Sequence, residues 1–285
     1  MTQTLLSLGH GFSAGFLADD LLAEGGWRVL GTTRSPDKCD RLRASGVEPV
    51  LWTRDAVAEA LSQASHVLVS AAPDDGGDPS LALIGEEIAR AANRLTWVGY
   101  LSTTGVYGDA DGAWVDETAP LNGQSRRARA RIDAEAQWAA IPDLPVHIFR
   151  LAGIYGPGRG PFEKVRNGTA RRIIKPGQVF SRIHGEDISR TLRASMARPN
   201  PGAAYNVCDN DPAPPQDVLA YAAELLGLPL PPEVDFEDAD MSPMARSFYA
   251  DNKRVDNTRL HEDLGVTLKY PDYKFGLRAL LAAEG

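Results

Sequence analysis

Short apolar runs alternate with helical patterns through the first 150 residues. TLLSLG (4–9) reads as a buried strand and is followed by an amphipathic stretch with Phe16, Leu17, Leu21 and Leu22. WRVLGTT (27–33), VEPVLW (47–52), HVLVSAAP (66–73), WVGYLSTTG (97–105) and LPVHIFRLAG (144–153) repeat the strand signal. Helical patterns separate them over 37–46, 56–63 and about 79–94. Runs that are apolar on both faces suit strands covered on both sides, and strands alternating with helices predict a parallel sheet built from βαβ units.

Beyond residue 150 the pattern loosens. Pro and Gly become frequent in IYGPGRGP and again at 199–215 and 229–243. Helices are predicted over 186–197, 215–226, 256–264 and 274–283, with a strand AYNV at 204–207. The expected fold is α/β, a Rossmann-type doubly wound parallel sheet with a small C-terminal lobe. Residues 1–155 form the dinucleotide-binding domain, rejoined by about 180–210. Residues 156–180 and 211–285 form the smaller lobe.

Composition narrows the function. A hydrophobic share of 43% and a charged share of 24% belong to a globular chain. The net charge of −8 argues against a general nucleic-acid binder. Cys39 and Cys208 stand too far apart for a disulfide framework or zinc spacing, and no metal site is expected. The N-terminal MTQTLLSLGHG has no basic leader region, and no apolar run approaches the ~18 residues of a membrane span. The expectation is a soluble cytoplasmic protein with no membrane partner.

The turn after the first apolar run carries the clearest chemistry. Gly9-His10-Gly11-Phe12-Ser13-Ala14-Gly15 gives G-x-G-x-x-A with a further glycine. Gly9 permits a tight turn, Gly11 lets backbone approach a pyrophosphate, and Ala14 lets the following helix pack close to the strand. The helix start offers unpaired N–H groups to phosphate. The motif sits between a strand and a helix, where a dinucleotide fingerprint belongs. The second strand ends Thr32-Thr33-Arg34-Ser35, with no acid before Asp37. An acid there would bind the NAD ribose, whereas an arginine suits the NADP 2′-phosphate. Arg34 is also compatible with a solvent-facing strand end. The preferred cofactor is NADP(H), with NAD(H) second. Gly15, Thr33, Ala71 and Ala72 complete the expected cofactor-lining set.

Four stretches, GHGFSAG (9–15), LSTTGVYGD (101–109), FRLAGIYGPGRG (149–160) and RIHGEDISRTL (182–192), resemble the extended short-chain dehydrogenase/reductase family, whose members include sugar-nucleotide epimerases and dehydratases. YNVCD (205–209) and NKRVDNTRLHEDLG (252–265) fit the same plan, so the resemblance spans most of the chain. It implies an active-site hydroxyl four positions before the Tyr of VYG, which is Thr103. It also implies a Tyr-x-x-x-Lys pair on the next helix, with a Glu four residues after the Lys. Glu135 sets that register, so Arg131 stands in the Lys position and Arg127 in the Tyr position. Arginine cannot be deprotonated in a protein, so Arg127 cannot pass a proton. Arg131 could hold ribose hydroxyls or a phosphate. Alternatively the helix is a solvated face or a dimer seam. Tyr107, Tyr155 and His184 lie on segments that the family brings near the cofactor and are the candidate replacement acids. Tyr107 joins Thr103 and Arg131 in the candidate catalytic set, and His184 doubles as a helix-cap candidate.

Arg159, Lys164, Arg166, Arg171, Arg172, Lys175 and Arg182 crowd the segment that lines the substrate cleft in the family. Such clustering suits a phosphorylated or nucleotide-linked small molecule, because guanidinium grips phosphate bidentately. Two readings stay open: an atypical reductase or epimerase-like enzyme, and a non-catalytic dinucleotide-binding redox sensor or assembly protein. The family pairs through the helix carrying Arg127 and Arg131, which puts a homodimer among the expectations, although the same charges oppose it.

Overall fold

The computed structural model describes residues 2–284. Seven strands form one sheet: β1 (Gln3–Leu8), β2 (Trp27–Thr33), β3 (Glu48–Leu51), β4 (His66–Val69), β5 (Trp97–Thr103), β7 (Val146–Leu151) and β11 (Ala204–Val207). A two-residue strand, β6 (Trp114–Val115), lies outside the sheet and pairs with β13 (Arg254–Val255). The sheet order is β11-β7-β5-β4-β1-β2-β3, and every pairing is parallel. The winding reverses between β1 and β4. In open α/β sheets the ligand crevice lies beyond the carboxyl ends of the strands at that point.

Helices cover both faces. One face carries α1 (Phe12–Glu24) and α7 (Gly185–Ala197), packed on Leu5, Val29, Leu68, Phe149 and Tyr205. The other carries α3 (Arg54–Gln63), α4 (Pro79–Ala91) and α5 (Arg126–Ala139), packed on Leu6, Leu30, Val67, Val98 and Val146. Alternate residues of the same strand thus feed opposite cores, which is why the strands read as unbroken apolar runs. The short α2 (Cys39–Ala44) precedes β3. Asp78 fixes the position of α4: its Oδ1 accepts from the Ser80 and Leu81 amides at 2.8 and 3.1 Å. Its Oδ2 accepts from the Trp138 indole N–H at 3.1 Å, tying α4 to α5.

The smaller lobe holds α6 (Phe162–Arg166), α8 (Pro215–Leu226) and α11 (Tyr273–Glu284) around Phe162, Ala222 and Leu277. Two parallel ribbons flank it: β8 (Gly153–Tyr155) with β10 (Arg182–His184) where the chain enters and leaves, and β9 (Arg172–Ile174) with β12 (Glu233–Asp235) inside the lobe. One part of the expected division differs. Leu260 and Leu264 of α10 (Thr258–Leu264), with Val266 and Leu268, pack into the α1/α7 core of the main domain rather than into the lobe. The amphipathic stripe of α10 fixes that it is buried, but cannot say against which core.

A buried polar network joins the elements around the end of β5. Glu135 and Arg150 are 4% and 6% exposed, and the Arg150 Nη2 donates to Glu135 Oε2 at 2.9 Å. Ser102 donates to the other oxygen of Glu135. Arg150 Nη1 donates to the Tyr107 hydroxyl at 3.0 Å, and that hydroxyl donates to Asn206 Oδ1 at 2.7 Å. The Asn206 amide donates to Glu117 Oε1 at 2.7 Å. The ring links α5, β5, β7 and β11. Glu135→Ala would strand the Arg150 charge out of water, and removing one partner of a buried pair costs about 3–5 kcal/mol. Urea unfolding should show that loss in the ligand-free protein, and a loss below about 1 kcal/mol would contradict the role given to the pair.

Candidate active site

The glycine turn is held from both sides. The Gly9 amide donates to Thr32 Oγ1 at 2.7 Å, and Thr32 donates in turn to the Ser7 carbonyl at 3.0 Å. Ser70 donates to the Gly9 carbonyl. Gly9 has φ +83°, and a Cβ there would stand 2.5 Å from the Ala71 amide nitrogen, so no other residue fits. The first loop is therefore pressed against the end of β4, at the reversal of the winding. Around Gly11, a Cβ would meet only the Gly9 carbonyl oxygen, at 3.8 Å. No side chain caps α1, so its leading N–H groups face that open space without partners. Ala14 is buried against the sheet, as its place in the motif requires. This geometry fits a diphosphate.

The remaining expected cofactor residues divide. Arg34 is exposed just past β2 and makes no hydrogen bond or ion pair among the described residues. Thr33 uses its hydroxyl on the turn that presents Arg34, bonding the Ser35 amide and carbonyl at 3.1 Å each. Ala71 lines the loop through its backbone, and Ala72 beside it is exposed. Gly15 has no atom within 4 Å of its Cβ position, so packing does not require a glycine there.

His10, between the two glycines, was not singled out from the sequence. A Cβ on Gly31 would stand 2.6 Å from Val47 Cγ1 and 3.0 Å from the His10 ring, so the missing side chain in β2 makes room for both. An isolated glycine inside a strand run is the signal for such a close approach. Burial lowers the His10 pKa, and its Nδ1 is enclosed without a partner.

The catalytic expectations fare unevenly. Thr103 ends β5, and its Oγ1 accepts from the Gly105 amide at 3.1 Å. The hydroxyl proton remains available. Arg131 extends along the end of β5, where its Nη1 donates to the Leu101 carbonyl at 2.6 Å and to the Tyr100 hydroxyl at 3.0 Å. Arg127, four residues earlier, is exposed and stacks on the Phe248 ring at 5.2 Å in α9 (Pro243–Phe248). Arg126 pairs with Asp75, and Arg129 donates to Gln124 at 2.7 Å.

Tyr107 requires a correction. It is 3% exposed, its hydroxyl is occupied by Arg150 and Asn206, and burial pushes its pKa up to about 12. It braces the fold instead of offering a proton. Tyr155 points its hydroxyl at α11, where a Cβ on Gly276 would stand 2.0 Å from that oxygen. His184 caps α7, with Nδ1 accepting from the Glu186 amide at 3.2 Å.

Five cations of the 159–182 cluster also require correction. Arg171 donates to the Gly168 and Ala170 carbonyls at 2.8 Å each, and Arg172 bonds the Pro231 carbonyl at 2.8 Å and Glu233 at 3.0 Å. Arg182 donates to the Phe180 and Ala213 carbonyls, Lys175 to the Tyr249 carbonyl, and Arg166 pairs with Glu284. These cations hold the lobe together and do not converge on one anion site.

No family model matches the chain. It is 29% identical to Protein YeeZ of Escherichia coli (strain K12) over 265 residues, 88% of this chain and 90% of the relative. Among solved structures it matches a functionally unknown conserved protein from Silicibacter pomeroyi DSS with TM-score 0.93 and 61% identity over 99% of both chains. It matches a Methylobacillus flagellatus protein, provisionally named an NAD-dependent epimerase/dehydratase, with TM-score 0.75 and 26% identity over 100% of this chain and 99% of that one. The chain shares its fold with these epimerase/dehydratase-like proteins and resembles the extended short-chain dehydrogenase/reductase family. More distant members of the same fold include the human epimerase family protein SDR39U1, solved with NADPH (17% identity, TM-score 0.77, 98% and 99% covered). MoeE5, solved with UDP-glucose and NAD, is another (20% identity, TM-score 0.77, 98% and 97% covered). Glu135, which set the expected register of α5, is tied to the sheet by its ion pair with Arg150 at 2.9 Å.

His184 gives a pH test of its structural place. Burial lowers its pKa from 6.5 to about 4, so below pH 6.5 the unfolded chain binds a proton that the folded chain refuses. Its contribution to stability is complete above pH 6.5 and lost as pH falls toward 4. His184→Asn retains a cap acceptor but has no such titration. Its stability should therefore decline less than that of the wild type between pH 6.5 and 4, and parallel declines would refute the cap assignment.

Proposed function

We propose that the chain binds NADP(H) across the β1–β4 reversal and acts as an atypical reductase or epimerase-like protein on a phosphorylated or nucleotide-linked small molecule. The observation that carries the cofactor reading is the pairing of an uncapped α1 behind an open glycine turn with a free guanidinium at Arg34. Asp37, the first acid after β2, lies past the turn that presents Arg34 and is itself exposed. The NADPH complex of SDR39U1 supports the cofactor choice, and the UDP-glucose complex of MoeE5 supports the substrate class.

The dinucleotide would supply hydride exchange. The chain's own residues bind and orient. The α1 amides hold diphosphate, Arg34 the 2′-phosphate, and Arg131, anchored on the Leu101 carbonyl, faces the ribose hydroxyls from the Lys position. Thr103 accepts from Gly105 and so directs its own proton toward a substrate oxygen. Arg127 contributes charge, not a proton.

A second reading, a dinucleotide-binding protein without turnover, is favoured by a specific observation. Tyr107, Tyr155 and His184 are all buried and turned to structural ends. Calorimetry should show NADPH binding tighter than NADH by on the order of ten-fold or more, the scale of one charge-assisted contact. Arg34→Ala should erase that difference and leave NADH affinity unchanged. Equal affinities in the wild type would remove the role given to Arg34.

A further inference from the structure

Arg159 lies against the first residue of α1, directly behind the glycine turn. Gly156 and Arg159 close a tight turn through paired backbone bonds, Gly156 N to Arg159 O at 3.0 Å and Arg159 N to Gly156 O at 2.9 Å. Pro157 and Gly158 form its tip, and Gly158 takes φ +68°, which glycine adopts freely. The turn is seated on the first residue of α1: a Cβ on Gly156 would stand 3.0 Å from Cζ of Phe12. The Arg159 guanidinium lies over the Phe12 ring, 5.5 Å from its centre. The Phe12 ring also packs edge-on against Phe16, ring centres 5.1 Å apart, so the cation stands beside the first turn of α1. Arg159 is exposed and has no side-chain hydrogen bond or carboxylate partner among the described residues.

We propose that Arg159 is a second grip on the dinucleotide's diphosphate, delivered from the segment that leads into the smaller lobe. This rests on the reading of the α1 head as a dinucleotide site. The amides of α1 approach the diphosphate from one side, and a planar guanidinium held on an aromatic ring closes over it from the other. The ring holds the cation without neutralising it, whereas a carboxylate partner would compete with the ligand. Because the turn follows β8, the grip also couples cofactor occupancy to the seating of the smaller lobe.

Titrations with NADPH, ADP-ribose and 2′-AMP separate the contacts. ADP-ribose carries the diphosphate without a 2′-phosphate, and 2′-AMP carries the reverse. Arg159→Gln should weaken NADPH and ADP-ribose by on the order of ten-fold or more and leave 2′-AMP unchanged. Arg159→Lys should recover part of the loss, and Arg34→Ala should show the opposite ligand pattern. Wild-type binding of ADP-ribose that Arg159→Gln leaves intact overturns the role of Arg159 alone. A wild type that binds none of the three ligands removes the dinucleotide site and the proposal with it.

Discussion

The ion pair between Glu135 and Arg150 is the constraint on which the site's geometry depends. Neither group reaches water, so each must be matched by the other and by hydrogen bonds to the atoms around them. Ser102 bonds Glu135, Tyr107 and the Glu117 carbonyl accept from Arg150, and Asn206 in turn holds the Tyr107 hydroxyl. The consequence is positional. Glu135 lies one helical turn after Arg131, so locking Glu135 beneath the end of β5 also sets where the Arg131 guanidinium can reach. Thr103, one residue beyond Ser102, is placed by the same anchor. A site assembled from a strand end and a helix face requires such a fixed point, since small shifts in registry would separate its parts.

The run of arginines at the start of α5 resolves into separate roles under that constraint. Arg126 and Arg129 are surface cations paired with Asp75 and Gln124, and exposed contacts of this kind contribute little. Arg131 is half-buried and bonded to the end of β5, while Arg127 is exposed and lies along the Phe248 ring of α9. A stripe for nucleic acid would need all four to face one surface. They do not, and the acidic balance of the chain points the same way.

The parts legible in the sequence were those whose signal is local. Apolar runs with turn residues gave all seven sheet strands within a few residues, and the glycine spacing located the phosphate turn because strand, turn and helix start are contiguous. The exposed position of Arg34 just past β2 was legible for the same reason. What escaped depended on partners distant along the chain. Nothing near Tyr107 indicates that Arg150 and Asn206 will saturate its hydroxyl. Arg171, Arg172, Lys175 and Arg182 resemble a phosphate patch only while the backbone carbonyls that satisfy them are out of view. His10 lay between, since Gly31 in an otherwise bulky strand marks the vacancy that its ring fills.

The fate of the proton narrows the chemistry further. A side chain that transfers protons near neutrality needs an accessible atom and a pKa close to the working pH. Tyr107 has neither, because both sides of its hydroxyl are bonded and burial drives its pKa upward. Tyr155 is turned into the smaller lobe, and the desolvation that surrounds it also disfavours its anion. In His184 one ring nitrogen is fixed as a cap and the other is enclosed. The guanidinium groups stay charged throughout. The three expected replacement acids are therefore all committed to the fold, and under the proposed reading the proton of any turnover comes from solvent or from the substrate.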